Sequence, residues 1–388
     1  MAKRKLGIAV VGIGGAVGTT MAAGVELLRQ NAIDTTGLPL AQFENLADYT
    51  DIEFAGWDLF DNDLASAAEG HEVLTLKQFA VASSALAEKR PWPAIADTRF
   101  LSNINGTNVI SLAKLRDAVE QIRADIREFR AQCDAVCVVN LASTEALTDS
   151  NAEIFATLDA FESAVDANAA EISPAMLYAY AAVAEGVPYA NFTPSVAADI
   201  PALIEFADAQ KVPVAGKDGK TGQTFIKTVL APALRSRALH IDGWYSTNIL
   251  GNRDGLALSN DESLASKIRT KSSVLDDMLG YAVEDHLVDI RYYRPRGDNK
   301  EAWDNIDVSG FLGQRMQIKV NFLCRDSILA APLAIEIARC LDLARERAEF
   351  GIQEQLSVFF KLPMTRNMRP EHAFHQQEKM LLDWLEKR

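Results

Sequence analysis

Gly12, Gly14, Gly15 and Gly18, with Ile13, Ala16 and Val17 between them, follow the apolar run Leu6 to Val11. Glycines at that spacing let the backbone approach a pyrophosphate closely, and a helix beginning there would face the phosphate charge with its N-terminus. The pattern G-x-G-G-x-x-G is a variant of the dinucleotide fingerprint, and its place between a strand-like and a helix-like segment is the context the fingerprint requires. Asp58 closes a second apolar run, Ile52 to Trp57. An acidic side chain there either accepts the hydroxyls of an adenosine ribose, selecting NAD over NADP, or caps a turn. It lies about twice as far from the glycines as the usual ~20 residues, and an insertion from Asn31 to Asp51 accounts for the excess.

The second group of residues with chemical potential is a set of lysines in an acidic chain. Lys267 and Lys271 stand four apart on an expected helix capped near Ser259 or Asn260. Like charges at that spacing cost roughly 0.2–0.5 kcal/mol, a cost that an anionic ligand would offset and a solvated helix face would simply tolerate. A lysine near other cations or partly desolvated also has a lowered pKa and can act as an acid or base. Lys300 follows Gly297 and Asp298, and Lys361 is embedded among Phe359, Phe360, Leu362 and Pro363. Lys361 either snorkels to water or sits in a pocket. The stretch from Gly216 to Thr224 contains Gly219, Lys220 and Thr221 but is not a P-loop, because Val214 stands where the first glycine is required. It does place Asp218, Thr221 and Gly222 at a strand-to-helix junction, where a parallel sheet opens its ligand crevice.

Positioning these groups calls for alternating elements. Strands are expected at Leu6 to Val11, Ile52 to Trp57, Ala135 to Val139 and Val212 to Ala215. Helices are expected at Ala16 to Arg29, Ala113 to Gln132 and Ser150 to Ala184. Alternation of this kind predicts an α/β, Rossmann-type doubly wound parallel sheet covered on both faces. After Gly222 the texture changes to longer strand-like runs, Leu239 to Thr247, Leu287 to Tyr293 and Met316 to Cys324, the mark of an inserted α+β domain. Arg294 to Asn299 reads as a loop, and Pro332 to Glu346 and Pro370 to Arg388 as helices.

The bulk properties narrow the function. A chain of 388 residues is too long for one ordinary core. The formal charge of −14, from 39 basic and 53 acidic residues, argues against nucleic acid as a partner. No apolar run is long enough for a membrane span. Lys3, Arg4 and Lys5 before Leu6 mimic a secretory signal, but the apolar run breaks into the glycine turn. Cys133, Cys137, Cys324 and Cys340 form no C-x-x-C pair and read as reduced thiols of a cytoplasmic protein. The five histidines are scattered, and no histidine or two-carboxylate cluster marks a metal site.

Taken together, these residues resemble the inositol-3-phosphate synthases (myo-inositol-1-phosphate synthases). The resemblance runs through most of the chain in one order and is strongest from Gly216 to Leu333. The family's G-D-D-F-K-S-G-Q-T block is similar to Gly216 through Thr224. Its N-x-x-G-N-x-D-G block resembles Asn248 through Gly255, with Gly251, Asn252 and Asp254. The two-lysine block ending K-S-S-V-x-D-D falls at Lys267 to Asp277, G-D-x-K at Gly297 to Lys300, C-x-D-S-x-L-A at Cys324 to Ala330, and K-x-P-x-T-R at Lys361 to Arg366.

The resemblance implies a redox-neutral conversion of glucose 6-phosphate to inositol phosphate: oxidation at C5 by NAD, enolisation at C6, aldol closure, and reduction of the C5 ketone. It implies a lysine set of Lys267, Lys271, Lys300 and Lys361, with Lys267 and Lys361 as the proton-transfer and oxyanion groups. Asp218, Asn248, Asn252, Asp254 and Asp326 would line the cofactor and substrate site, with Gly222 and Ser327 at the cofactor. Thr221 would replace the family's serine as a hydroxyl contact, and Ala142, Thr144 and Thr193 would touch the cofactor. A neutral amine is a competent base, and its ammonium then stabilises an oxyanion.

The implied division is 1–222 for NAD binding, 223–330 for catalysis and oligomerisation, and 331–388 returning to the first domain. The implied assembly is a homotetramer built on the inserted sheet, and the implied setting is inositol and phospholipid biosynthesis. An assisting cation, of unspecified identity, serves some relatives. Lys217 and Gly219 depart from an acidic and an aromatic residue of the family block, Arg253 from asparagine, and Leu141 to Glu145 from the usual N-T-E run. Two other readings compete. One is another NAD-dependent sugar-phosphate enzyme, a dehydrogenase or epimerase, with net NADH release marking the dehydrogenase. A non-catalytic NAD-binding regulator would have no need of the lysines.

Overall fold

A computed structural model describes residues 4–101, 106–110, 114–251, 275–366 and 369–387. In chain order the elements begin with β1 (Leu6–Val11), α1 (Ala16–Arg29), β2 (Ile52–Asp58), α2 (Leu64–His71), α3 (Leu76–Ala87) and β3 (Trp92–Pro93). They continue with α4 (Leu115–Arg130), β4 (Ala135–Asn140), α5 (Leu158–Asp166), α6 (Pro174–Ala184), β5 (Tyr189–Asn191), α7 (Pro201–Gln210) and β6 (Pro213–Gly216). After these come α8 (Gln223–Ser236), β7 (His240–Leu250), β8 (Asp285–Tyr292), β9 (Asn299–Ser309) and β10 (Arg315–Arg325). Last are α9 (Asp326–Glu346), β11 (Gly351–Ile352) and α10 (Phe374–Leu385).

Seven strands form one parallel sheet in the order β11-β6-β5-β4-β1-β2-β3. β1 is buried along its whole length, as a strand covered on both faces must be. Leu6, Ile8 and Val10 pack into one apolar cluster with α1, α9 and α10, while Ala9 and Val11 pack into another with α4 and α6. The strand order reverses between β1 and β4, so a crevice opens at their carboxyl ends. The fold is the expected α/β, Rossmann-like one.

A second, four-stranded sheet has the order β10-β9-β7-β8, with β7 and β8 parallel and the other pairs antiparallel. Its inner face packs Trp244, Ile306 and Val308 against Ala231 and Leu234 of α8. Its central strand β9 has no counterpart among the strands expected from sequence. Asp304 and Ala302 occupy inward positions while Trp303 points out, so the apolar alternation that marks a half-buried strand is scrambled.

Other expectations are also corrected. Ser150 to Ala184 is not one helix: a 3-10 turn at Glu153–Phe155 precedes α5 and α6. Thr157 caps α5 by accepting the Ala160 N–H, and Pro174 opens α6 because it forces the preceding residue out of helical geometry. Helix α9 starts at Asp326 and runs through Pro332, which the sequence suggested as a start. Arg294–Arg296 is a 3-10 turn within the expected loop, and Asn299 already belongs to β9. The expected C-terminal helix is shorter, beginning at Phe374.

Candidate functional site

The glycine turn is shaped by its contacts. The Gly12 and Ile13 N–H groups donate to the Trp57 carbonyl at 2.8 and 3.2 Å, which fastens the turn to the end of β2. Gly12 has φ +86°, a conformation that glycine adopts without strain. A Cβ on Gly18 would lie 2.5 Å from the Ile13 carbonyl oxygen, so only glycine lets α1 pack this close to the turn. Gly14 donates its N–H to Asp58 Oδ2 at 2.9 Å, and a ring nitrogen of His71, at the end of α2, meets the Gly14 carbonyl at 2.8 Å. Asp58 and the turn thus form one unit.

Two buried asparagines shape the next strand ends. Asn140 Oδ1 accepts the Ala142 N–H at 3.1 Å, and its amide nitrogen donates to Asn191 Oδ1 at 3.3 Å. Asn191 Oδ1 also accepts the Thr193 N–H and hydroxyl at 3.0 and 2.9 Å. Residues Ala142 and Thr193 are therefore held in place from β4 and β5. Glu145 is buried beside them. Its Oε1 accepts the Ala175 N–H at the start of α6 at 2.9 Å, and burial pushes its carboxyl up to about 7.

The Gly216 to Thr221 segment and the run around Lys361 are laced together. Lys361 donates its N–H to the Asp218 carbonyl at 2.7 Å, and its ammonium donates to Asp218 Oδ1 at 2.6 Å. Asp218 Oδ2 is buried and has no hydrogen-bond partner among the described residues. Lys361 is only 9% exposed, which resolves the alternatives open from sequence in favour of a pocket. Lys300, on the inner face of β9, places its ammonium 3.3 and 3.4 Å from the two Asp326 oxygens, and the Thr221 hydroxyl donates to Asp326 Oδ1 at 3.2 Å.

Most of these groups border one cavity of about 600 Å³. Of the residues expected at the site, its wall carries Gly12, Gly14, Gly15, Ala16, Val17, Gly18, Asp58, Ala142, Thr144, Thr193, Asp218, Thr221, Lys300, Asp326, Ser327 and Lys361. Gly222 and Asn248 are not on that wall. Asn248 is buried beneath the inner face of the second sheet and donates to Gln223, whose amide donates to Asp304 at 3.1 Å. Asn252, Asp254, Lys267 and Lys271 lie outside the described residues. Sequence reasoning did not single out His71, Glu145 or Asp298, which also line the cavity. Glu145 and Asp298 stand inside motifs already noted, next to Thr144 and two before Lys300. His71 has no local signal.

The orphaned Asp218 oxygen, the glycine cradle with its acidic partner, and the strand-end amides suit a dinucleotide lying across the reversal of strand order. Among the described residues no group of three or more His, Cys, Asp or Glu side chains is placed to hold a metal ion. Likewise, no described helix is long and apolar enough to cross a membrane.

The sequence profile described as myo-inositol-1-phosphate synthase matches residues 33–386. The chain belongs to the myo-inositol-1-phosphate synthase family. It is 43% identical to inositol-3-phosphate synthase 1 of Bacteroides thetaiotaomicron over 403 aligned positions, covering 97% of this chain and 94% of that protein. It is 31% identical to inositol-3-phosphate synthase 1 of rice, Oryza sativa subsp. japonica, covering 88% and 75% of the two chains. The crystal structure of inositol-3-phosphate synthase from Caenorhabditis elegans superposes with a TM-score of 0.92 at 29% identity, covering 99% of this chain and 85% of that one. The synthase family is thus NAD-linked, and its curated members are isomerases of the intramolecular lyase class.

Proposed function

We infer that this chain is an inositol-3-phosphate synthase that cyclises D-glucose 6-phosphate to 1D-myo-inositol 3-phosphate with NAD and without net redox change. The single observation that carries this reading is that Lys300 and Lys361, each paired with an aspartate, border the same cavity as the glycine turn and Asp58. NAD, when bound, would supply the hydride acceptor and donor of a redox-neutral reaction. The glycine turn, Asp58, Ala142, Thr144, Thr193 and Asp218 would hold it.

The rest of the chemistry falls to side chains of this chain. Lys361 and Lys300, whose side chains are mostly buried, would bring positive charge to the cavity wall, where an ammonium stabilises a developing oxyanion better than in bulk water. Lys361 would move a proton at the cavity wall, where its ammonium donates to Asp218 Oδ1. By resemblance alone, Asn252 and Asp254 are assigned to the cofactor, and Asn248, Asp254, Lys267 and Lys271 to the substrate. The second sheet, as the catalytic and oligomerisation domain, would build a homotetramer, a reading supported by the exposed Tyr245, Leu287, Trp303 and Leu323 on its outer face. A cytoplasmic location in inositol and phospholipid biosynthesis fits four free cysteines and an acidic chain.

The test is to incubate the protein with glucose 6-phosphate and NAD and follow the product by NMR. A carbocyclic phosphate without net NADH is expected. Accumulating NADH without a carbocycle would replace the synthase by a dehydrogenase. In the same assay Lys361→Ala should lower kcat by about 100-fold or more, the scale of a lost acid–base group.

A further inference from the structure

Helix α9 begins at Asp326, and Arg325 before it supplies no side-chain cap. The first N–H groups of a helix have no partners within the helix and must find them elsewhere. Here they find them in the turn just before β9. The Asp298 carbonyl accepts the Asp326 N–H at 3.2 Å. Its carboxylate Oδ1 accepts the Ser327 hydroxyl at 2.6 Å and the Ser327 N–H at 3.3 Å. Asp298 is 7% exposed, so these bonds form away from competing water.

The register of the second sheet explains the meeting. Lys300 lies opposite Cys324 and Asn299 opposite Arg325, so the start of β9 and the start of α9 are neighbours. Lys300 and Asp326, whose side chains meet at 3.3 Å, therefore hang from the two ends of one short brace formed by Asp298. We propose that Asp298 is a positioning residue for the reaction. By holding the first turn of α9 against the start of β9, it sets the Lys300–Asp326 contact, and with it the point where the Lys300 ammonium meets the anionic sugar. This inference rests on the synthase reading above.

The experiment uses the full chain with Asp298→Ala, Asp298→Asn and Ser327→Ala. Asp298→Ala is expected to lower kcat for glucose 6-phosphate by about 10- to 100-fold, the consequence of an ångström-scale misplacement. Its amide exchange over residues 324–330 should quicken, because the first turn of α9 loses its acceptors. Asp298→Asn keeps an acceptor for Ser327 and should return kcat to within about fivefold of the parent. An Asp298→Ala protein with parental kcat per NAD-binding molecule overturns the proposal, since a scaffold role lowers only the number of folded molecules. Failure of Asn to do better than Ala overturns it too.

If Asp298→Ala does not fold, Ser327→Ala decides. A kcat reduced about three- to tenfold together with faster amide exchange over residues 324–330 supports the brace, and unchanged exchange removes it. Absence of a carbocyclic product from the parent protein defeats the synthase reading separately. Amide exchange over residues 324–330 then still reads the brace: faster exchange in Asp298→Ala is expected, and equal exchange defeats it.

Discussion

Glu145 reaches the cavity wall with its Oε1 on the Ala175 N–H, and burial pushes its carboxyl up to about 7, with Asp97 adding to the rise. The unfolded chain releases that proton near the ordinary 4.5. Between those values the folded state binds more protons than the unfolded one, so stability is fullest below about 4.5 and falls as pH rises through about 7. Glu145→Gln removes the titration. Thermal unfolding of the cofactor-free protein between pH 5 and 8 should show the variant losing roughly 2–5 °C less than the parent over that range. Equal slopes would mean that Glu145 does not carry the effect. Lys220 shows why residue type alone misleads: it stands in the motif at the cavity, yet its ammonium is buried against Gln377 and Phe374 of α10, and burial lowers it to about 7.

At the scale of elements, the decisive contact is between α1 and the turn that precedes it. Gly18 sits in the first turn of α1 over the Ile13 carbonyl, with no room for a methyl group. Gly18→Ala must push the helix start away from the turn and so displace the N–H groups that face a pyrophosphate. The variant should bind NAD about tenfold or more weakly by calorimetry, while its far-ultraviolet circular dichroism stays that of the parent, because alanine is a good helix former. Undiminished affinity would show that the turn relaxes without consequence. The turn, α1 and the first two strands were legible because their signals are local: glycine spacing, an apolar strand, a helix period. Strand β9 was not, because its inward Asp304 is stabilised by donors from Gln223, Trp244 and Ser246 that are distant in sequence.

For the whole molecule, the two sheets divide the labour. The seven-stranded sheet is covered on both faces, whereas the four-stranded one leaves Tyr245 and Trp303 in edge-to-face contact on an open side, with Leu287 also exposed. Large apolar groups gathered on one exposed face mark an association surface. Trp303→Glu places a charge there and should convert the proposed tetramer to smaller species by light scattering after size exclusion, with NAD affinity unchanged. A variant eluting with the parent mass would place the association surface elsewhere.

Sequence by itself determined the alternation that makes a parallel sheet, the glycine turn with Asp58 at the next strand end, and the lysine-bearing blocks in their order. All of these rest on neighbours along the chain or on short motifs. Only the tertiary structure decided that Lys361 faces Asp218, that Lys300 faces Asp326, that Asn248 lies under the second sheet instead of on the cavity wall, and that Asp298 caps a helix beginning 28 positions later. Those pairings join residues far apart in sequence. Their geometry comes from strand register and from the reversal of strand order, which are properties of the packed chain and of no segment within it.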